Sequence, residues 1–218
     1  MAQVHKYYWP LWVGLACTVV ANSADAMTAP EVDKVIQHGL PEQSDALAKT
    51  TQALFQEFEK TKNVTSLIFY SYGMLRQANH FSAVNDFIHA SEYAKTGFFY
   101  LDEAVDTHEE NPRIRYLRAR IDAYLPAVIG RCVVTLDDTE RLLRGKNVFD
   151  KDIVNHIEYM RYRALVSCNQ PQQAELLMKK IKAKSSGDAK YLNTKFHTEP
   201  EWDMNEVTQV VIPLLKGE

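Results

Sequence analysis

Two runs of charge flank Asn111-Pro112, and they hold most of the groups in this sequence that could do chemistry. Asp102, Glu103, Asp106, Glu109 and Glu110 precede that pair. Arg113, Arg115, Arg118 and Arg120 follow it, with Arg131 farther on. At 3.6 residues per turn, Arg113, Tyr116, Arg120 and Tyr124 fall toward one side of a helix. Arginine offers a planar fork to carboxylates, and tyrosine gives contact area at low entropic cost. These four residues therefore read as a binding groove for a charged peptide or ligand. A stripe facing solvent would let Arg120→Ala leave folding unchanged to within ~0.5 kcal/mol. The competing reading is a pair of solvated faces, linked by local ion pairs worth ~0–1 kcal/mol each.

Bond chemistry has little support. His80, His89 and His108 are scattered, and His108-Glu109-Glu110 lacks the second histidine of a His-Glu-x-x-His zinc site. The carboxylates form a charge run on one helix rather than the opposed pair that glycoside hydrolysis needs. The sequence contains no Gly-x-Ser-x-Gly elbow, phosphate loop or dinucleotide fingerprint. The expectation is a protein that is not an enzyme and has no cofactor and no metal. Phe69-Tyr70-x-Tyr72 and the stretch from Tyr93 to Tyr100 are rich in aromatics, which belong either to the core or to a pocket for an apolar ligand.

The first 26 residues read as a secretory signal. Lys6 lies in a polar lead, an apolar run extends from Tyr7 to Ala21, and Ala24-Asp25-Ala26 supplies the small residues a signal peptidase requires. The apolar run is short for a membrane span and contains Pro10. The mature chain would begin near Met27, in the periplasm or outside the cell. The alternative is a lipid anchor on Cys17 within Gly14-Leu15-Ala16-Cys17, although Gly14 stands where a lipobox prefers leucine. Removing the leader leaves Cys132 and Cys168. These lie at the same end of a prospective helix pair and are candidates for a disulfide; otherwise they are two small apolar thiols. A formal net charge of −3 gives no general attraction to nucleic acid or anionic lipid. No later segment is apolar enough to span a bilayer.

Helix formers dominate the remainder. Pro30 opens a first helix, which Gly39-Leu40-Pro41 closes, and Glu42 to about Lys60 forms a second. Asn63 caps a third to about Gln77, with a break expected at Asn79-His80 and Ser82 capping a long helix to about Glu109. Further helices are expected from Pro112 to Tyr124, Ala127 to Leu143, Asp150 to Cys168 and Pro171 to Lys184, with a last one around Val207 to Leu214. Ala119 and Ala123 fall nearly opposite Ile114, Leu117 and Ile121. The helix starting at Pro112 should therefore pack on two sides.

Three consecutive hairpins emerge, at 64–109, 112–143 and 150–184. An offset of 35 residues aligns Tyr100-Leu101-Asp102-Glu103-Ala104 with Thr135-Leu136-Asp137-Asp138-Thr139, close to the ~34-residue tetratricopeptide period. Gly97, Leu101, Ala104 and Pro112, then Tyr116, Ala119 and Ala123, and finally Gln173 to Leu177 carry the resemblance. The segment is similar to a degenerate tetratricopeptide-type repeat, without the usual tryptophan and Leu-Gly pair. The resemblance implies an all-α fold of stacked antiparallel helix hairpins, a short α-solenoid that binds protein or peptide. The expected division is a leader at 1–26, N-terminal helices at 27–62, repeats at 63–184, and a loop and capping helix at 185–218. The functional expectation is an exported scaffold for a protein or peptide partner in the cell envelope. The alternative is a small-molecule-binding accessory subunit of an envelope transporter, with an aromatic helical pocket.

Overall fold

In the computed structural model, residues 29–184 and 201–217 are described, apart from the side chain of Lys146. The leader and Cys17 lie outside them. All regular secondary structure in the described residues is helical: α1 (Pro30–His38), α2 (Ser44–Thr61), α3 (Val64–Ala83), α4 (Phe87–Asp106), α5 (Pro112–Ala123), α6 (Cys132–Arg144), α7 (Lys151–Ser167) and α8 (Pro171–Lys184). Short 3-10 turns at Ala127–Ile129 and Lys146–Val148 flank α6. The C-terminal segment is an α-turn at Met204–Glu206, a π-helical turn at Val207–Val211 and an α-turn at Ile212–Leu215. None of the described helices is long and apolar enough to cross a membrane.

Local chemistry sets most of the boundaries. Pro30 and Pro112 occupy first turns, where a missing N–H costs nothing. Asn63, Asp86, Asn111 and Asp150 each accept a backbone N–H through the side chain. Tight interhelix turns pass through a left-handed residue at Lys62, Asn85 and Asn169. Asparagine tolerates that conformation better than most.

Two boundaries differ from expectation. No break occurs at Asn79-His80, and α3 continues to Ala83. Nothing in Asn or His forbids helix, and Phe81 beyond them packs on the rings of His89 and Tyr93. The chain instead turns at Asn85, and Asp86, not Ser82, caps α4. The helix expected from Ala127 starts at Cys132, after a 3-10 turn that Gly130 closes at φ 77°.

Sequential helices pack as antiparallel hairpins, α2 on α3, α3 on α4, α5 on α6, α6 on α7 and α7 on α8. One apolar core runs through them, from Val32 and Val35 through Leu54, Ile68 and Leu101 to Ile157 and Met160. Val210, Val211 and Leu214 join it from the C-terminal segment. Close approach of α3 and α4 depends on Gly97, whose Cβ would lie 3.0 Å from both Leu75 Cγ and the Ser71 carbonyl oxygen. Helix α5 lies at the centre, and every residue from Ile114 to Ala123 is buried. Cys132 and Cys168 form a disulfide with Cα atoms 5.6 Å apart, joining the start of α6 to the end of α7.

Candidate functional site

The four residues of the expected groove do not line an open surface. Tyr116 and Arg120 are both 0% exposed. Arg113 and Tyr124 are half-buried. The C-terminal segment lies over this face of α5. Arg120 donates from Nε to Glu206 Oε1 at 2.8 Å, and its guanidinium lies 3.8 Å from the centre of the Trp202 ring. Tyr116 donates its hydroxyl proton to the same carboxylate oxygen at 2.7 Å. Arg113 Nε donates to the Gln209 carbonyl at 2.9 Å. Pro213, four residues on, has no N–H to offer that carbonyl, so the arginine serves in its place.

His156 on α7 completes the cluster. Its Nδ1 is 2.7 Å from the Tyr116 hydroxyl and 3.2 Å from Glu206 Oε1, and its Nε2 is 3.2 Å from the Tyr124 hydroxyl. A proton on Nδ1 is placed to donate toward Tyr116 and Glu206. Burial pushes Glu206 up, but the Arg120 cation and the His156 hydrogen bond outweigh it and hold the carboxyl well below the usual range. Burial likewise pushes the Tyr124 phenol up. Glu206 is placed by a capping box, in which Asp203 accepts its N–H while Glu206 reaches back to the Asp203 N–H.

A second network occupies the opposite side of α5. Arg115 and Arg118 converge on Asp138, which is fully buried, at 2.8 Å each. Arg118 also reaches Asp102 at 3.1 Å. Arg131 bridges Asp102 and Asp122, at 2.7 and 2.8 Å, over the ring of Phe98. For Asp102, burial is outweighed by Arg131 and Arg118, and the carboxyl is lowered. For Asp122, burial wins over the Arg131 cation, with Asp102 and Asp138 adding repulsion, and the carboxyl is pushed up to about 7. Asp122 Oδ1 is buried without a hydrogen-bond partner.

The charged run before Pro112 thus divides. Asp102 is a structural partner of arginines, whereas Asp106, Glu109 and Glu110 are exposed. His89 pairs with Asp86 at the surface, and His108 contacts the Ala104 carbonyl. Among the aromatics, Phe69 is core, Phe55, Tyr70 and Tyr100 form a half-buried ring cluster, and Phe99 is 62% exposed. Sequence reasoning missed Asp122, Asp138, His156, Trp202 and Glu206. Only Glu206 carried a local signal, the capping-box spacing Asp203-x-x-Glu206. The arginines and carboxylates of both networks are occupied with one another. What this arrangement does is hold the C-terminal segment and the hairpins in fixed register. No protein-family model, curated protein or solved structure matches this chain.

Proposed function

We propose that this protein is an exported binding module of the cell envelope, a short helical-repeat scaffold that presents a fixed surface to a protein partner. The observation that supports this most directly is the turn between α3 and α4. Val84, Phe87 and Ile88 stand 70%, 64% and 74% exposed there, at the tip of a hairpin stiffened by the Gly97 contact. Clustered exposed aromatic and branched residues are characteristic of interaction sites. The two ionic networks favour a frame over a reaction centre, because each of their carboxylates is already engaged by an arginine. The tetratricopeptide resemblance of 63–184 points the same way.

A photo-crosslinking residue in place of Phe87, expressed in the native envelope, tests the partner. The expected result is a discrete crosslinked species that disappears when Ile88→Ser is added, with the melting temperature unchanged. Absence of any such species, or its persistence with Ile88→Ser, overturns the reading. Export is tested separately. N-terminal sequencing of the mature protein is expected to begin at Met27, and a diacylated chain beginning at Cys17 would instead place it on a membrane surface.

A further inference from the structure

A cleft of about 460 Å³ lies among the C-terminal turn of α1, α3 and the start of the C-terminal segment. A smaller cavity of about 130 Å³ shares two of its wall residues, Tyr72 and Arg76. Arg76 is the exception among the arginines. Arg113, Arg161 and Arg163 donate to backbone carbonyls. Arg115, Arg118, Arg120 and Arg131 engage buried carboxylates, and Arg141 and Arg144 pair along α6. Arg76 is half-buried and has neither an ion pair nor a hydrogen bond among the described residues. A guanidinium partly removed from water without a counter-charge is unfavourable, and its fork fits a carboxylate in two-point contact.

The remaining walls define what that carboxylate would be attached to. Trp202 and Tyr72 give aromatic surface, and Val35 and Leu40 give aliphatic surface. Trp202 is fixed in advance, with its ring centre 5.5 Å from that of Phe69 and its face on Arg120. Little ordering remains to oppose binding. Glu42 and Glu201 also border the cleft, and both are exposed, which places them at its rim. The end of α1 that faces the cleft is the carbonyl end, which favours positive charge. The volume falls within the ~300–1,000 Å³ usual for small-molecule sites.

We propose that this cleft binds a small zwitterion of the amino-acid or short-peptide kind. Its carboxylate sits on Arg76, its apolar side chain lies against Trp202, Tyr72 and Leu40, and its ammonium faces Glu42 and Glu201. The proposal is independent of partner docking at Phe87. Isothermal titration calorimetry of the full chain at neutral pH tests it with phenylalanine, the dipeptide Leu-Phe, the C-terminal amide of Leu-Phe and N-acetyl-Leu-Phe. Phenylalanine or Leu-Phe binds, which distinguishes a free amino acid from a short peptide. The amide and the acetylated dipeptide each bind at least tenfold more weakly than Leu-Phe, or not at all where phenylalanine alone is the ligand. Arg76→Met weakens binding at least tenfold with an unchanged melting temperature, and Arg76→Lys recovers part of the loss. Failure of both phenylalanine and Leu-Phe to bind, equal affinity for acid and amide, or full affinity in a folded Arg76→Met protein overturns it. If Arg76→Met does not fold, titrations of the native chain, including phenylalanine against its amide, decide the matter alone.

Discussion

Arg120 shows how far burial changes the meaning of a charged side chain. A solvent-facing stripe would tolerate its loss. With the guanidinium at 0% exposure against Glu206 and Trp202, Arg120→Ala leaves the Glu206 carboxylate buried without this cation. The expected cost is ~3–5 kcal/mol, read as a lower urea midpoint. Arg144→Ala, at an exposed pair with Glu140, should leave the urea midpoint unchanged, because solvent screens such a pair. Helical spacing was enough to put Arg113, Tyr116, Arg120 and Tyr124 on one face. It could not reveal that the counterpart of this face is Glu206, 86 residues away from Arg120. Arginine and tyrosine together also suggest solvent, because arginine is seldom fully buried without a partner. Asp122 yields a second expectation at this scale. Its folded pKa is raised to about 7 from 3.8, so between those values the folded state holds a proton that the unfolded state has released. Its contribution is therefore most favourable below about pH 3.8 and is lost progressively as pH rises to about 7. Asp122→Asn should reduce the fall in stability over that interval, measured by chemical denaturation at several pH values. The lowered carboxyls of Glu206 and Asp102 act in the opposite sense, because their stabilisation is present at neutral pH and lost on acidification.

The helices themselves were legible wherever a boundary is encoded locally. Pro30, Asn63, Asn111-Pro112, Asp150 and Pro171 each act through their own backbone geometry or side chain, so a single sequence suffices to read them. The turn between α3 and α4 was not legible in this way. Asn79-His80 and Asn85-Asp86 are similar in composition, and the choice between them rests on Phe81 packing against His89 and Tyr93. That contact exists only once the hairpin has formed. The same hairpin gives a packing test. Gly97→Ala gains ~1 kcal/mol in helix propensity, but its methyl would meet Leu75 and the Ser71 carbonyl at 3.0 Å. A backbone oxygen cannot rotate away, and overpacking costs ~1–3 kcal/mol. The expected net loss is about 1 kcal/mol, measured by equilibrium unfolding, with α3 and α4 forced slightly apart.

At the scale of the whole molecule, two long-range closures hold the hairpins together. The disulfide spans 36 residues of sequence, and in the chain-entropy model it stabilises the fold by ~4 kcal/mol. Cys168→Ser is expected to lose up to that amount, and intact mass of the native chain with and without reduction, on protein from an oxidising compartment, should differ by two hydrogen atoms. The other closure is noncovalent. The buried arginine at the centre of α5 pairs with Glu206 of the C-terminal segment, and Val210, Val211 and Leu214 join the core from the same segment. Contacts of such large sequence separation form late. A ribosome that stalls or terminates before residue 206 would release a chain with several finished helices but without the Glu206 carboxylate at their centre. Such a product cannot reach the native free energy, however long it waits, and remains open to proteolysis. The ion pair between Arg120 and Glu206 thus makes the centre of the fold wait on residues synthesised long after it.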